Sequence, residues 1–382
     1  MLVNLPSRAR RTDLALDDLQ ERAGGASATV KLGGSAESIS YSWRPESEAL
    51  VSDAVFAACL LPAMASGGTL RIASPVSPQL LSSANKIQEI FHTWAPDKLH
   101  PITVEAEPRA HTAREAGGQV ACFFSAGVDS FDATLKHHDE VDVLIFVHGF
   151  DVGLSDTIRR ERVAKGVRNA AAELEKPLVE VETNLRAFSN QHVHWELFHG
   201  AALGSVALLL QKTFRRIYVP STLSYRQLIP WGSHPLVDPL WSSESIELVH
   251  DGAEASRFQK MERIASSDAA LRWLRVCWRS PDDGYNCGRC TKCMRTMAEL
   301  EGLGVLSRSK TFPPKVNRRH LRGTHVPRAP MDRALWNDTI AGLGELGADA
   351  GLRRAMKRAA GPHPVRALRR LGGRLRRRLA SR

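Results

Sequence analysis

The stretch Gln119-Val120-Ala121-Cys122-Phe123-Phe124-Ser125-Ala126-Gly127-Val128-Asp129-Ser130 decides how the chain is read. Its first half, 119–124, is an almost unbroken apolar run, the pattern of a parallel strand buried on both faces. A turn of small residues follows, and 130–137 has the character of a helix. A strand that meets a helix across a tight turn brings successive N–H groups together, and such a nest binds anions. The helix start adds its unpaired N–H groups and the positive end of its dipole. In open α/β sheets this position, beyond the carboxyl end of a strand, is where ligands bind.

Working outward, 141–147 reads as a second apolar strand, 178–181 as a third and 216–219 as a fourth. Helical spacing fills the intervals at 157–174 and 195–212. Strands alternating with helices predict α/β architecture with a parallel sheet covered on both faces. Toward the N-terminus, 39–43, 69–72 and 101–107 read as strands, and 46–63 and 78–94 as helices. The expected organisation is a flexible leader at 1–25, a small α/β domain at 26–115 and the main domain at 116–310. A helical extension at 311–350 and a basic tail at 351–382 complete it.

Composition narrows the function classes. With 382 residues and a 43% hydrophobic share, the chain has ample material for a core. It has no run of eighteen apolar residues, so no membrane span is expected; the apolar run 201–210 reads as a buried helix. No apolar segment follows Arg8, Arg10 and Arg11, which makes a signal peptide unexpected and a cytoplasmic location the default. The net charge of +11 suggests a nucleic-acid partner, but twelve Arg or Lys and no acid lie in 351–382, leaving −1 for residues 1–350. A nucleic-acid enzyme would carry its basic face on the folded domain. In the tail, Val365, Leu368, Leu371, Leu375 and Leu379 form one apolar stripe on a basic helix. It suits an anionic membrane surface, nucleic acid or a protein partner, with a solubilising tail as the plainer reading.

Four of the six cysteines, Cys277, Cys287, Cys290 and Cys293, fall within seventeen residues. Thiolates two residues apart can turn around one ion, and four complete a tetrahedral Zn²⁺ shell. Gly288 permits the turn. Such a filled shell is structural rather than catalytic; an iron–sulfur cluster takes the same four ligands and stays open as an alternative.

With Ser-Ala-Gly-Val-Asp-Ser, the turn resembles the loop of the PP-loop ATP pyrophosphatases, Ser-Gly-Gly-x-Asp-Ser. Ala126 is the departure, because its methyl restricts the turn or crowds a phosphate. The order of motifs — this loop, Lys260-x-x-Arg263-Ile264, Cys277-Trp278, then Cys287, Cys290 and Cys293 with Arg295 — is similar to 7-cyano-7-deazaguanine synthase and its relatives over roughly residues 119–302. The resemblance implies ATP cleavage to AMP and pyrophosphate, Mg²⁺, one zinc, and adenylation of a small-molecule acid that ammonia or an amine then attacks. A homodimer falls within the expected assemblies. By this resemblance Phe124, Ser125, Ala126, Gly127, Val128, Asp129 and Ser130 hold ATP. Asp129 holds Mg²⁺, and Ser125 and Lys260 join it in catalysis, Lys260 facing departing pyrophosphate. The rim at His148-Gly149-Phe150-Asp151 lies near the adenine.

The substrate segment differs from those relatives, which marks a divergent member with another substrate. Trp231, His234, Asp238 and Glu244, with Arg257, are the expected substrate contacts; an irregular structural crossover is the competing reading of that loop. Two other functions compete with adenylation of a small acid. One is thiolation of a tRNA base, which needs an unligated reactive thiol or a cluster. The other is a nucleotide-binding scaffold whose loop has lost activity.

Overall fold

The structure, a computed structural model, describes residues 12–110, 117–277 and 285–361. Residues 1–11, Trp278 and the striped tail beyond Gly361 lie outside them. Two compact units divide the chain after Glu254, not at the expected boundary near residue 115.

The first unit opens with β1 (Thr12–Arg22), β2 (Gly25–Leu32), β3 (Ser35–Arg44), α1 (Val51–Ser66), β4 (Gly67–Val76), α2 (Pro78–Trp94) and β5 (Val104–Pro108). The series β6 (Gln119–Phe123), α3 (Val128–Lys136), β7 (Val143–His148), α4 (Thr157–Glu173) and β8 (Leu178–Thr183) follows. Then come α5 (Leu185–Ser189), α6 (Trp195–Leu209), β9 (Phe214–Pro220) and β10 (Glu247–Asp251). All ten strands join one sheet in the order β10-β9-β6-β7-β8-β3-β2-β1-β4-β5. The fold is thus α/β with a large, mostly parallel sheet, parallel from β10 through β8 and again across β1, β4 and β5.

Two expectations are corrected here. Thr12–Arg22, placed in a flexible leader, is a strand that pairs with both β2 and β4. Its Leu14 and Leu16 are buried while Asp13, Ala15 and Asp17 are exposed or partly exposed, the alternation of a half-covered strand. The small N-terminal domain is also no separate body. Antiparallel pairing of β3 with β8, Trp43 opposite Val181, makes it a wing of the same sheet.

The core explains the junction. α1 is buried from Val51 to Met64 on every side, as a helix hydrophobic all round must be. Tyr41 of β3 meets Ser205 of α6 through a 2.7 Å hydrogen bond. The buried Asp53 of α1 takes bonds from the Ser77 amide and the Gln211 side chain, with Arg109 as its ion partner.

On the opposite face of β2 and β3, Ser27, Thr29, Ser38 and Ser42 alternate outward and are partly or fully exposed. That face of the wing is polar.

The second unit is helical: α7 (Arg257–Ile264), α8 (Asp268–Trp273), α9 (Thr291–Gly302), α10 (Arg318–Gly323), α11 (Pro330–Glu345) and α12 (Ala350–Ala360). No helix among the described residues is long and apolar enough to cross a membrane.

Candidate functional site

The strand order β10-β9-β6-β7-β8 places the 125–130 turn in the middle of the parallel half. From β6 the chain winds outward through β7 and β8, then returns to β9 on the other flank of β6. A sheet that reverses in this way opens a crevice at the carboxyl end of its first strand. The turn sits there.

Its shape is set by packing behind it. Phe124 extends the ladder by donating its amide to Ile145 at 2.8 Å. Its ring meets Phe131 of α3 edge-on at 5.0 Å, and both rings are buried. Ala126 then takes φ +55°, the left-handed region that a Cβ disfavours by roughly 1 kcal/mol. Gly127 caps α3 in extended geometry. The amides of Ser125 and Gly127 both point at the Ser130 hydroxyl, at 3.3 and 3.1 Å. Two main-chain donors thus converge on one oxygen position at a helix start. Asp129 is half-buried in the first turn of α3 and is the carboxylate of this segment.

Beside the turn, the carboxyl end of β7 carries a small hollow lined by Phe146, His148, Gly149, Asp151 and Val152. At the ends of β9 and β10, the Ser221 amide donates to the Asp251 carbonyl. The Asp251 carboxylate receives Lys136 at 2.9 Å and His137 at 3.0 Å.

The expected substrate loop is instead knitted into the fold. Gly232 packs so closely on α6 that a Cβ on Gly200 would fall 1.9 Å from its carbonyl oxygen. Trp241 is buried against Gly204. Asp238 is buried, receiving the Ser233 hydroxyl at 2.6 Å and His250 at 2.7 Å. His234 lies buried against Trp94, and desolvation holds its pKa below the ordinary histidine value. Glu244 accepts from the Ser77 hydroxyl and the Gln79 amide, closing the start of α2. Burial alone would raise its pKa, yet those bonds hold it low. Trp231 is half-buried beside His199. The segment has the internal contacts of an irregular crossover, the competing reading, while Trp241 Nε1 and His250 Nε2 are buried without a hydrogen-bond partner.

In the second unit Lys260 and Arg257 are buried on α7, so neither is a solvated surface cation. Arg257 donates to Thr296 at 3.3 Å and lies 3.7 Å from the buried Glu299. Glu299 also has Arg295 at 3.8 Å and receives Thr339 at 2.6 Å. Burial raises its pKa, partly offset by the two guanidiniums. Arg257, expected at the substrate, is a cross-brace between α7 and α9.

By geometry the four cysteines of this unit could hold a metal ion. Their sulfurs all lie within 4.8 Å of one another. The Cys277–Cys290 and Cys287–Cys293 separations are 3.9 and 3.8 Å. Thiolates about 2.3 Å from a tetrahedral ion stand about 3.8 Å apart, so the residues fit zinc. The Cys287 sulfur accepts the amides of Arg289 and Cys290, and Cys290 caps α9 by accepting from Cys293. Gly288 makes the knuckle at φ +63°. A hydrogen bond to Cys277 pushes the Cys290 thiol up to about 11, and Cys277 and Cys290 push Cys293 far higher. A bound cation would offset this and let Cys290 and Cys293 ionise.

Sequence reading missed Asn286. It is buried, accepts from the amides of Val276 and Cys277, and donates to the Leu274 carbonyl, locking Cys277 to the knuckle. Its place one residue before Cys287 was the available signal.

No family model, curated protein or solved structure matches the chain.

Proposed function

We propose that the first unit binds ATP at the 125–130 turn and catalyses its cleavage to AMP and pyrophosphate, adenylating a small-molecule acid. The observation that carries this reading is the convergence of the Ser125 and Gly127 amides on one oxygen at the start of α3, at the point where the sheet reverses. A phosphate oxygen would replace the Ser130 hydroxyl as their acceptor, with the helix dipole behind it. Asp129 is the residue to hold Mg²⁺, which would offset the negative charge of the phosphates.

In the reaction, a carboxylate oxygen attacks the α-phosphorus and the bond to the bridging oxygen breaks. Pyrophosphate carries away the electron pair, and ammonia or an amine then displaces AMP from the acyl adenylate. A carboxylate is already ionised at neutral pH and needs no general base. Position and the oriented amides supply the acceleration.

Sulfur transfer to RNA fits less well. Cys59 and Cys122 are buried, and burial pushes the Cys122 thiol up to about 12. The other four thiols are grouped as a candidate metal site.

The test is pyrophosphate release from the full chain with ATP, Mg²⁺ and a panel of organic acids, with mass spectrometry of what the protein retains. A trapped adenylate is expected, and Asp129→Ala should release pyrophosphate about 10²-fold more slowly. If the unaltered chain neither retains a nucleotide nor releases pyrophosphate, the proposal fails.

A further inference from the structure

The near-neutral sum over residues 1–350 conceals two halves of opposite sign. The described residues of the first unit hold nineteen Lys or Arg against thirty Asp or Glu, and those of the second hold twenty against eight. In the first unit, acids match many of the exposed cations: Asp17 pairs with Lys31, Asp13 and Glu105 with Arg71, and Glu48 with Lys212.

The excess of the second unit is concentrated where the cysteine knuckle, α10 and α12 adjoin. His320 of α10 donates to the Arg289 carbonyl of the knuckle at 3.1 Å, and Thr291 donates to the His325 carbonyl just beyond α10 at 3.0 Å. α10 in turn packs on α12. α12 buries Leu352, Ala355, Met356 and Ala359. The helical spacing that puts those on one face puts Arg354, Lys357 and Arg358 on the other, all exposed. Arg319 and Arg322 of α10 and Arg289 of the knuckle are exposed too. None of these six makes an ion pair among the described residues. The neighbouring acids are already engaged. Glu299 is buried and receives Thr339, Glu301 takes Arg318 and the Val316 amide, and Asp349 caps α12 and pairs with Arg318. Residues 302–331 and 350–361 contain no acid.

Six unmatched charges on adjoining elements call for a polyanion. A helix that lies on a membrane also buries large apolar side chains, and neither α10 nor α12 exposes one. A protein partner would meet an interface with an apolar or aromatic centre, which this face lacks. Five of the six cations are arginines. A guanidinium pairs with phosphate through two N–H bonds and stacks flat on an unpaired base. The outward stripe of α12, Ala350, Arg354, Lys357 and Arg358, has no Asn or Gln to read adenine in a groove. Bases are open to stacking in a single strand and closed to it in a duplex.

We infer that this face binds single-stranded nucleic acid, held by its phosphates and by stacking on the arginines, with little regard to sequence. The inference concerns binding alone and does not rest on the nucleotide reading, since no residue of the 125–130 turn takes part.

The experiment is fluorescence anisotropy of the full chain, without ATP, with labelled oligouridylate and oligothymidylate of about twenty nucleotides. Binding to at least one strand is expected. Arg354→Glu/Lys357→Glu/Arg358→Glu, altered only at exposed side chains, should weaken it at least tenfold. It should also reduce the slope of log affinity against log salt by about 2, since each phosphate contact on a single strand contributes about 0.7. Arg319→Glu/Arg322→Glu, on a different helix, should weaken binding in the same way and keeps the test decisive if the triple variant fails to fold. The basic tail is present in every variant, so binding that the tail supplies alone would survive them. No binding to either strand, or binding that both variants keep, would overturn the inference. So would tighter binding of a duplex of the same length, equal competition by polyglutamate, or capture by phosphatidylserine vesicles alone.

Discussion

At the cysteine cluster side chains make the candidate metal site, whereas at the 125–130 turn the proposed nucleotide site is made of main chain. Four sulfurs within 4.8 Å of one another define their ligand by element and distance. The turn would define its proposed ligand by where two amides point, and the rings of Phe124 and Phe131 pack behind the six residues that aim them. A side-chain site is lost by one substitution within it. A main-chain site is lost more readily by substitutions beneath it.

The sharpest way to break this contrast is at the metal. Cys293→Ser, or zinc removal by a chelator, should destabilise the fold by several kcal/mol, since structural zinc binding is itself folding free energy. Metal analysis beside a thermal melt checks it: one zinc per chain with a large fall in Tm on its loss is expected. A full Tm without metal would make the cluster an ornament.

Next in size is Phe131→Ala. Removing a fully buried ring costs about 3–5 kcal/mol and frees Phe124. Nucleotide affinity should fall more than it does in Ser125→Ala, which touches the site itself. Titration calorimetry with ATP ranks the two variants, and the reverse order would mean that the turn works through its side chains.

A smaller effect is expected at Ala126→Gly. Relief of the left-handed backbone should contribute up to about 1 kcal/mol, partly cancelled by the entropy glycine loses on folding. Denaturant melts should show no loss of stability, and ATP should bind equally well or a few-fold tighter. A destabilised protein would show that the Ala126 methyl is needed for packing.

Smallest of all is the ion network that joins β7, β8 and α4. Burial would raise the pKa of Glu180, but His148 and Arg168 overcome it and hold it at about 2. A depressed carboxylate contributes stability above its unfolded pKa, near 4.3, and loses that contribution as pH falls through its folded value. The acid limb of the stability curve between about pH 4 and 2 should flatten in Glu180→Gln, while the neutral region shifts little. An unchanged acid limb would remove this pair from the account.

The two regions also differed in what the sequence disclosed. The cysteine spacing named the four residues that the fold brings together, because a metal shell needs only residue types at short separations. The apolar runs named β6 to β9 for a similar local reason, and the helix at Pro78–Trp94 emerged with the bounds expected of it. The wing did not emerge as part of the same sheet. β1 mixes Leu14 and Leu16 with Asp and Arg, and β2 is built on Ala26 and Ala28, so both are weak strand formers held by their neighbours. Gly33-Gly34, both at positive φ, was the legible hairpin signal between β2 and β3. Glu244 and Asp238 looked like ligand contacts because nothing local shows that an acid will cap a helix more than 160 residues away, or be enclosed by a serine and a histidine.

The union of β3 with β8 has a consequence for how the molecule is made. During synthesis β1, β2 and β3 leave the ribosome early, yet the partner of Trp43 is Val181. Until Leu178–Thr183 arrives, the rim of β3 offers unsatisfied amides and carbonyls to any passing strand, its own neighbours on a polysome included. Growth of the chain, rather than the chemistry of either site, sets how long that exposure lasts.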